Sequence, residues 1–166
     1  MLALLSAAFA ASPSPELTTA MTGRWRLADA RAVVQTRVDA AVESALSPFN
    51  TVIRGMARPL MAKAATFCEA YTTQLTTTTF TLACDGASAV TATFGQAPVA
   101  GESGGRAFQL SGRFEDGGVI LNFSGDAGVQ RVRYTSGGPD SFLVNKNIHA
   151  DRLDADVVWD MRYTRQ

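Results

Sequence analysis

RAFQLSGRFE at residues 106–115, Asp116-Gly117 after it, and GVILNFSG at residues 118–125 make the most regular stretch of this chain. Phe108, Leu110 and Phe114 fall on one parity, and Leu121 and Phe123 repeat the alternation beyond Asp116-Gly117-Gly118. A period of two puts successive side chains on opposite faces of an extended chain, which predicts two half-buried strands, 106–115 and 118–125. An Asp-Gly pair between them supplies the left-handed backbone of a tight hairpin.

The same reading extends outward in both directions. Strands are predicted near 69–75, 79–85, 88–95, 129–136, 141–148 and 154–164, with turns at Asp85-Gly86, at Gly125 to Gly128 and at Gly137 to Asp140, and a longer loop from Gly95 to Gly105. Twelve of the fourteen glycines lie beyond Asp85, so turn chemistry is concentrated in this half. Gly23-Arg24-Trp25-Arg26-Leu27 alternates as well and adds a first strand. Short connections imply antiparallel neighbours, and nine strands with one apolar face each must bury that face against something. An up-and-down antiparallel β-barrel does this while leaving few free edges. A β-sandwich with helices is the alternative.

Between the first strand and the rest the period changes. Val34, Val38, Ala41, Val42 and Ala45 make one helical face and Arg31, Gln35, Asp39 and Glu43 another, predicting a helix over about 30–46. Ser47-Pro48 supplies a capping residue and a first-turn proline, so a second helix is expected over 48–66, running through Phe49, Val52, Ile53, Met56 and Leu60 and kinked at Pro59. Ahead of the first strand, residues 1–10 (MLALLSAAFA) are apolar and end in a small-x-small triplet, which reads as a signal peptide remnant, and residues 11–22 follow as a solvated linker. The barrel domain then occupies 23–166, and the chain is expected to be secreted or periplasmic.

The chain has 166 residues, 46% hydrophobic and 18% charged, with fifteen basic residues against fifteen acidic ones. Zero net charge removes the field that a phosphate-backbone binder needs, so no nucleic acid partner is expected. One histidine and two cysteines cannot close a zinc site, and neither a nucleophile elbow nor a phosphate-cradling glycine loop occurs, so no enzyme activity, metal or cofactor is expected. His149 lies near a turn, the usual place for a surface histidine. In an oxidising compartment Cys68 and Cys84 have two fates, a bridge or two buried thiols. A bridge requires the chain to reverse near Thr76 to Thr79, where the apolar parity switches from Tyr71, Thr73 and Leu75 to Phe80, Leu82 and Cys84.

Gly23-x-Trp25 in the first strand, a helix pair directly after it, and the terminal Arg162-Tyr163-Thr164-Arg165 together resemble the calycin superfamily, the group of lipocalins and fatty-acid-binding proteins. The resemblance spans residues 23–166 and implies a barrel that carries a hydrophobic small molecule. The helix pair is similar to the fatty-acid-binding branch, the leader and cysteines to lipocalins.

On that arrangement the inward face holds Phe108, Leu110, Phe114, Leu121, Phe123, Tyr134, Trp159, Met161, Tyr163 and Arg165 as candidate ligand-binding residues. Arg165 ends the apolar parity and has two readings. With Tyr163 it would bind a ligand carboxylate, much as the Arg-x-Tyr pair of fatty-acid-binding proteins does, though in reversed order. Alternatively it covers Trp25 at the closed barrel end, as a late arginine does in lipocalins. Arg54, Met56 and Arg58 are candidate portal residues on a basic amphipathic second helix, which would meet an anionic membrane surface. The function expected is therefore an exported carrier of a fatty acid or other lipid; the alternative is a solid-cored envelope protein-interaction module.

Overall fold

The computed structural model describes residues 12–103, 106–126 and 128–166. The expected leader, residues 1–10, lies outside them. The elements in chain order are α1 (Pro15–Met21), β1 (Gly23–Leu27), α2 (Arg31–Leu46), α3 (Thr51–Ala64), β2 (Ala70–Leu75), β3 (Thr79–Cys84), β4 (Val90–Thr93), β5 (Val99–Ser103), β6 (Arg106–Glu115), β7 (Gly118–Gly125), β8 (Gly128–Ser136), β9 (Ser141–His149) and β10 (Val157–Arg165).

All ten strands form one antiparallel sheet in the order β4-β3-β2-β1-β10-β9-β8-β7-β6-β5. Because β1 pairs with β10 through Trp25↔Arg165 and Leu27↔Tyr163, the two ends of the domain meet in the middle of the sheet. The edges β4 and β5 curl round to the far side, where Phe94 bridges Gly112 of β6. The result is a nearly closed barrel with the helix pair α2 and α3 inserted between β1 and β2, not a sandwich.

The Asp116-Gly117 turn forms as expected, both residues having positive φ and closing the register Glu115↔Gly118. Strand β5 falls inside the stretch expected to be a loop. Its sequence, Val99-Ala-Gly-Glu-Ser103, has no apolar alternation, and it becomes a strand by pairing with β6, from Val99↔Leu110 to Ser103↔Arg106. Gly101 permits that pairing, since a Cβ there would lie 2.5 Å from the Phe108 ring.

Two local expectations are corrected at helix starts. The stretch taken as a linker contains α1, where Ser14 caps the Leu17 amide, Pro15 opens the first turn and Met21 is fully buried. The second helix begins at Thr51 rather than at residue 48. The Ser47 hydroxyl donates back to the Ser44 carbonyl at 2.8 Å, so it serves the end of α2, and Asn50 Oδ1 instead accepts the Ile53 amide at 3.0 Å. Pro59 sits within α3 without ending it; Pro59 and Gly55, four residues earlier, are both exposed, so the carbonyl left without an amide faces water.

Of the two fates open to the cysteines, the bridge Cys68–Cys84 is the one formed. Cys68 precedes β2 and so escapes the parity of the β2–β3 ladder, whose last pair is Tyr71↔Cys84. The Asp85 carboxylate accepts the amides of Glu69 and Ala70, holding the same corner, and Thr76 Oγ1 accepts the Thr78 and Thr79 amides at the opposite turn. Replacing both cysteines by serine frees the loop and is expected to cost about 3 kcal/mol in the chain-entropy description. Urea unfolding of the double variant tests this, and a midpoint equal to wild type contradicts it.

Candidate functional site

One barrel end is sealed by a clamp. The Arg165 guanidinium lies 4.4 Å from the centre of the Trp25 ring and donates to the carbonyls of Ala20, Thr22 and Pro139. Gly23 makes room for it, because a Cβ on that residue, at φ +154°, would lie 2.4 Å from the guanidinium. Beneath, Trp25 Nε1 donates to Thr73 Oγ1 at 2.8 Å, and Thr73 donates to the Met21 carbonyl at 2.6 Å, so α1 is tied to the same end. All three nitrogens of Arg165 thus serve backbone carbonyls. The carboxylate-binding reading of Arg165 gives way to the closing one.

Above this clamp the inward face fills with aromatic rings. Trp25 stacks on Phe142 with centroids 5.0 Å apart, and Tyr71, Phe80, Tyr134 and Tyr163 pack round them at 5.0–6.4 Å. The Tyr163 hydroxyl donates to the Cys68 carbonyl at 2.8 Å. Burial pushes the phenols of Tyr71, Tyr134 and Tyr163 well above the ordinary tyrosine range, so they stay neutral donors. Tyr134 and Tyr163, expected to line a ligand site, are therefore part of a packed plug.

The other half of the inward face differs. Trp159, Met161, Leu110 and Leu121 are buried there, as expected, whereas Phe108, Phe114 and Phe123 are only partly covered. Val99, which shares its face with Leu110, is 55% exposed. The cause is the seam between β4 and β5, the two strands that are not hydrogen-bonded to one another. At this seam apolar side chains with inward parity, Val99 among them, meet water.

Residue parity also carries a charge into the interior. In β9, Phe142, Val144, Lys146 and Ile148 share the inward face, and Lys146 is 6% exposed. Its Nζ donates to the Thr66 carbonyl at 2.8 Å and lies 5.9 Å from the centre of the Trp159 ring, its cross-strand partner. Burial alone pulls its pKa down from 10.5 to about 8. Trp159 Nε1 is buried with no hydrogen-bond partner. Lys146 is not among the candidates that the sequence pattern yields, although the alternation of β9 puts it on the inward face.

The portal residues divide. Arg58 forms a two-pronged ion pair with Glu43 at 2.5 and 2.7 Å, which fastens α3 to α2 and lowers the Glu43 carboxyl pKa. Arg54 is half-buried, while Met56 is 70% exposed and stands between Val52 at 72% and Leu60 at 65%. The apolar stripe of α3 thus faces solvent, and Met61 is its buried residue. His149 sits on the outward parity of β9, its Nδ1 2.8 Å from Asp156, away from the interior. Two clefts, of about 410 and 280 Å³, lie beside α1 and β2 and beside β1 and Glu69; neither is lined by the inward residues of β4 to β9.

No family model matches the chain, and no curated protein matches its sequence. Solved structures do match it in shape. A secretary abundant heat soluble protein from Ramazzottius varieornatus has a TM-score of 0.56 at 9% identity, covering 89% of this chain and 96% of its own. Lipid binding protein 8 of Caenorhabditis elegans gives 0.54 at 13% identity over 94% and 99%. Fatty-acid-binding protein 1 of Echinococcus granulosus gives 0.52 at 12% identity over 88% and 97%. The fold is that of the calycins. Within it, Gly23, Trp25 and Arg165 close one end, and no ladder hydrogen bond joins β4 to β5.

Two outcomes follow from this geometry. Arg165→Met removes a cation–π contact of about 0.5–2 kcal/mol and strands three carbonyl acceptors, so the thermal midpoint should fall, and Gly23→Ala should lower it by displacing the same guanidinium. Midpoints unchanged in both variants contradict the clamp. Lys146 holds its proton less tightly folded, at about 8, than unfolded, near 10.5. Between those values the unfolded chain carries the extra proton, so native stability due to this group rises as pH climbs. Urea unfolding at about pH 7 and about pH 10 should show wild type gaining on Lys146→Met; a constant difference contradicts the burial of a cation.

Proposed function

We propose that the protein is an exported carrier that takes up one hydrophobic small molecule, a fatty acid or other lipid, through the β4–β5 seam of the barrel. The observation that carries this reading is the partial exposure of Val99, Phe108, Phe114 and Phe123, inward-facing apolar residues that a sealed core would cover. Because the plug fills the clamped end and the two clefts lie elsewhere, uptake proceeds by parting β5 from β4. That movement breaks no ladder hydrogen bond between them. Shape likeness to proteins described as fatty-acid-binding and lipid binding supports the class of ligand. Export is supported by the Cys68–Cys84 bridge, which suits a secreted or periplasmic setting.

The exposed stripe of Val52, Met56 and Leu60 supports a role for α3 as a portal lid that touches an anionic membrane, with Arg54 and Lys63 as the basic residues not tied up as Arg58 is. No described helix is long and apolar enough to cross a bilayer. Contact would be peripheral, each basic side chain adding about 1 kcal/mol near such a surface.

The aromatic plug supports a second reading, an interaction module with a solid core and α3 as its docking face. Native mass spectrometry before and after delipidation separates the two. A carrier emerges with a bound lipid and regains one on exposure to fatty acids, whereas repeated absence of any bound species supports the module. For the portal, Arg54→Glu with Met56→Asp should slow lipid transfer to anionic vesicles several-fold and leave transfer to neutral vesicles alone. Equal slowing to both contradicts the electrostatic part of the reading.

A further inference from the structure

We infer that Lys146 and Trp159 anchor the acidic head group of the carried lipid, so that the ligand is a carboxylate-bearing amphiphile held by its head beneath the loop at Thr66. This rests on the carrier reading and adds to it which lipids are held and which way round they sit.

The argument is an imbalance of donors and acceptors inside the barrel. Lys146 brings three N–H groups and Trp159 one, all on cross-strand neighbours of the inward face. The protein meets them with a single acceptor, the Thr66 carbonyl, and leaves the buried indole N–H with none. A buried donor without an acceptor is strongly disfavoured, and a buried cation is normally paired with an anion. Among the described residues no carboxylate is bonded to Lys146, and burial is the cause that lowers its proton affinity. Asp160, Arg131 and Arg133 on the flanking strands have the outward parity, and on the inward face Tyr71, Tyr134 and Tyr163 are neutral phenols within the plug.

A carboxylate completes this site in a way that an alcohol or ester does not. It has two oxygens with about four lone-pair sites, accepts from both donors, and supplies the missing negative charge. The same-face neighbours Val132, Val144, Ile148, Val157 and Met161 are apolar and buried, which suits a hydrocarbon chain attached to that head group. At the opposite end each nitrogen of Arg165 is bonded to a backbone carbonyl and the guanidinium lies on the Trp25 ring, so that cation is committed to the clamp. The head group therefore sits on the helix side of the barrel, and the tail runs along the inward face towards Leu121 and Phe123.

The test compares oleic acid with oleyl alcohol, which share a chain and differ in the head group, against wild type, Lys146→Met and Trp159→Phe by titration calorimetry near neutral pH. Wild type should prefer the acid by about tenfold or more. Lys146→Met should remove that preference while keeping the alcohol at its wild-type affinity. Trp159→Phe keeps a ring in place, lacks the N–H, and should weaken the acid alone by several-fold, so the inference stays testable if the first variant does not fold. Acid binding unchanged in both variants overturns the anchor while the carrier reading stands. Equal loss of acid and alcohol also overturns it and assigns Lys146 to holding the Thr66 loop. Failure of wild type to bind either probe overturns the carrier reading itself.

Discussion

The contact between the Arg165 guanidinium and the Trp25 ring is where this structure closes on itself. It joins the last strand to the first, and its hydrogen bonds reach α1 through Ala20 and Thr22 and the β8–β9 turn through Pro139. β1 is only five residues long, and beside its short ladder with β10 the junction has the Gln166 amide on the Arg24 carbonyl and the Ala28 amide on the Arg162 carbonyl. Short strands pair weakly, so the cation, the indole and the carbonyls supply what the ladder lacks. Gly23 belongs to the same unit, since the guanidinium occupies the space where its side chain would stand.

From that seal the two halves of the interior follow different rules. Near the clamp the inward face is mostly aromatic, with Thr73 beneath Trp25, and the Tyr163 hydroxyl finds its partner in the Cys68 carbonyl. Packing of this kind is stable and specific, and it leaves little for a ligand to displace. Towards the helices the lining turns aliphatic, the sheet edges part, and partly exposed phenylalanines appear. A chain selected for stability alone would carry the aromatic packing through to the other end.

Much of this was legible in the sequence because strands and helices leave different periods. Alternation located β6 to β9 and the hairpins between them, and parity set Trp25 with Leu27 and Arg165 with Trp159, Met161 and Tyr163, each within its own strand. What was missed has physical causes. β5 has no pattern of its own and becomes a strand through its partner. The Ser14-Pro15-Glu16 start of α1 is a good helix opening that was read as loop because serine and proline serve both purposes. The onset of α3 turned on which of Ser47 and Asn50 had a free side-chain oxygen, and that depends on where α2 ends. Lys146 shares the inward parity of β9, but a charged side chain interrupts the apolar alternation by which an inward face is recognised.

Lys146 carries a cost in the folded state. A buried ammonium with one neutral acceptor weakens the native state below its pKa, and methionine would fill similar space without the charge. Structural need does not call for it, since the Thr66 loop is already held nearby by the Cys68–Cys84 bridge and by the Asp85 carboxylate. A local rule broken inside an otherwise consistent interior, next to an indole N–H that also lacks a partner, is the pattern expected where binding rather than folding sets the residue. On the inferred anchor, a carboxylate would meet the unpaired charge and the unpaired donor together, so what Lys146 and Trp159 cost in folding would return as affinity.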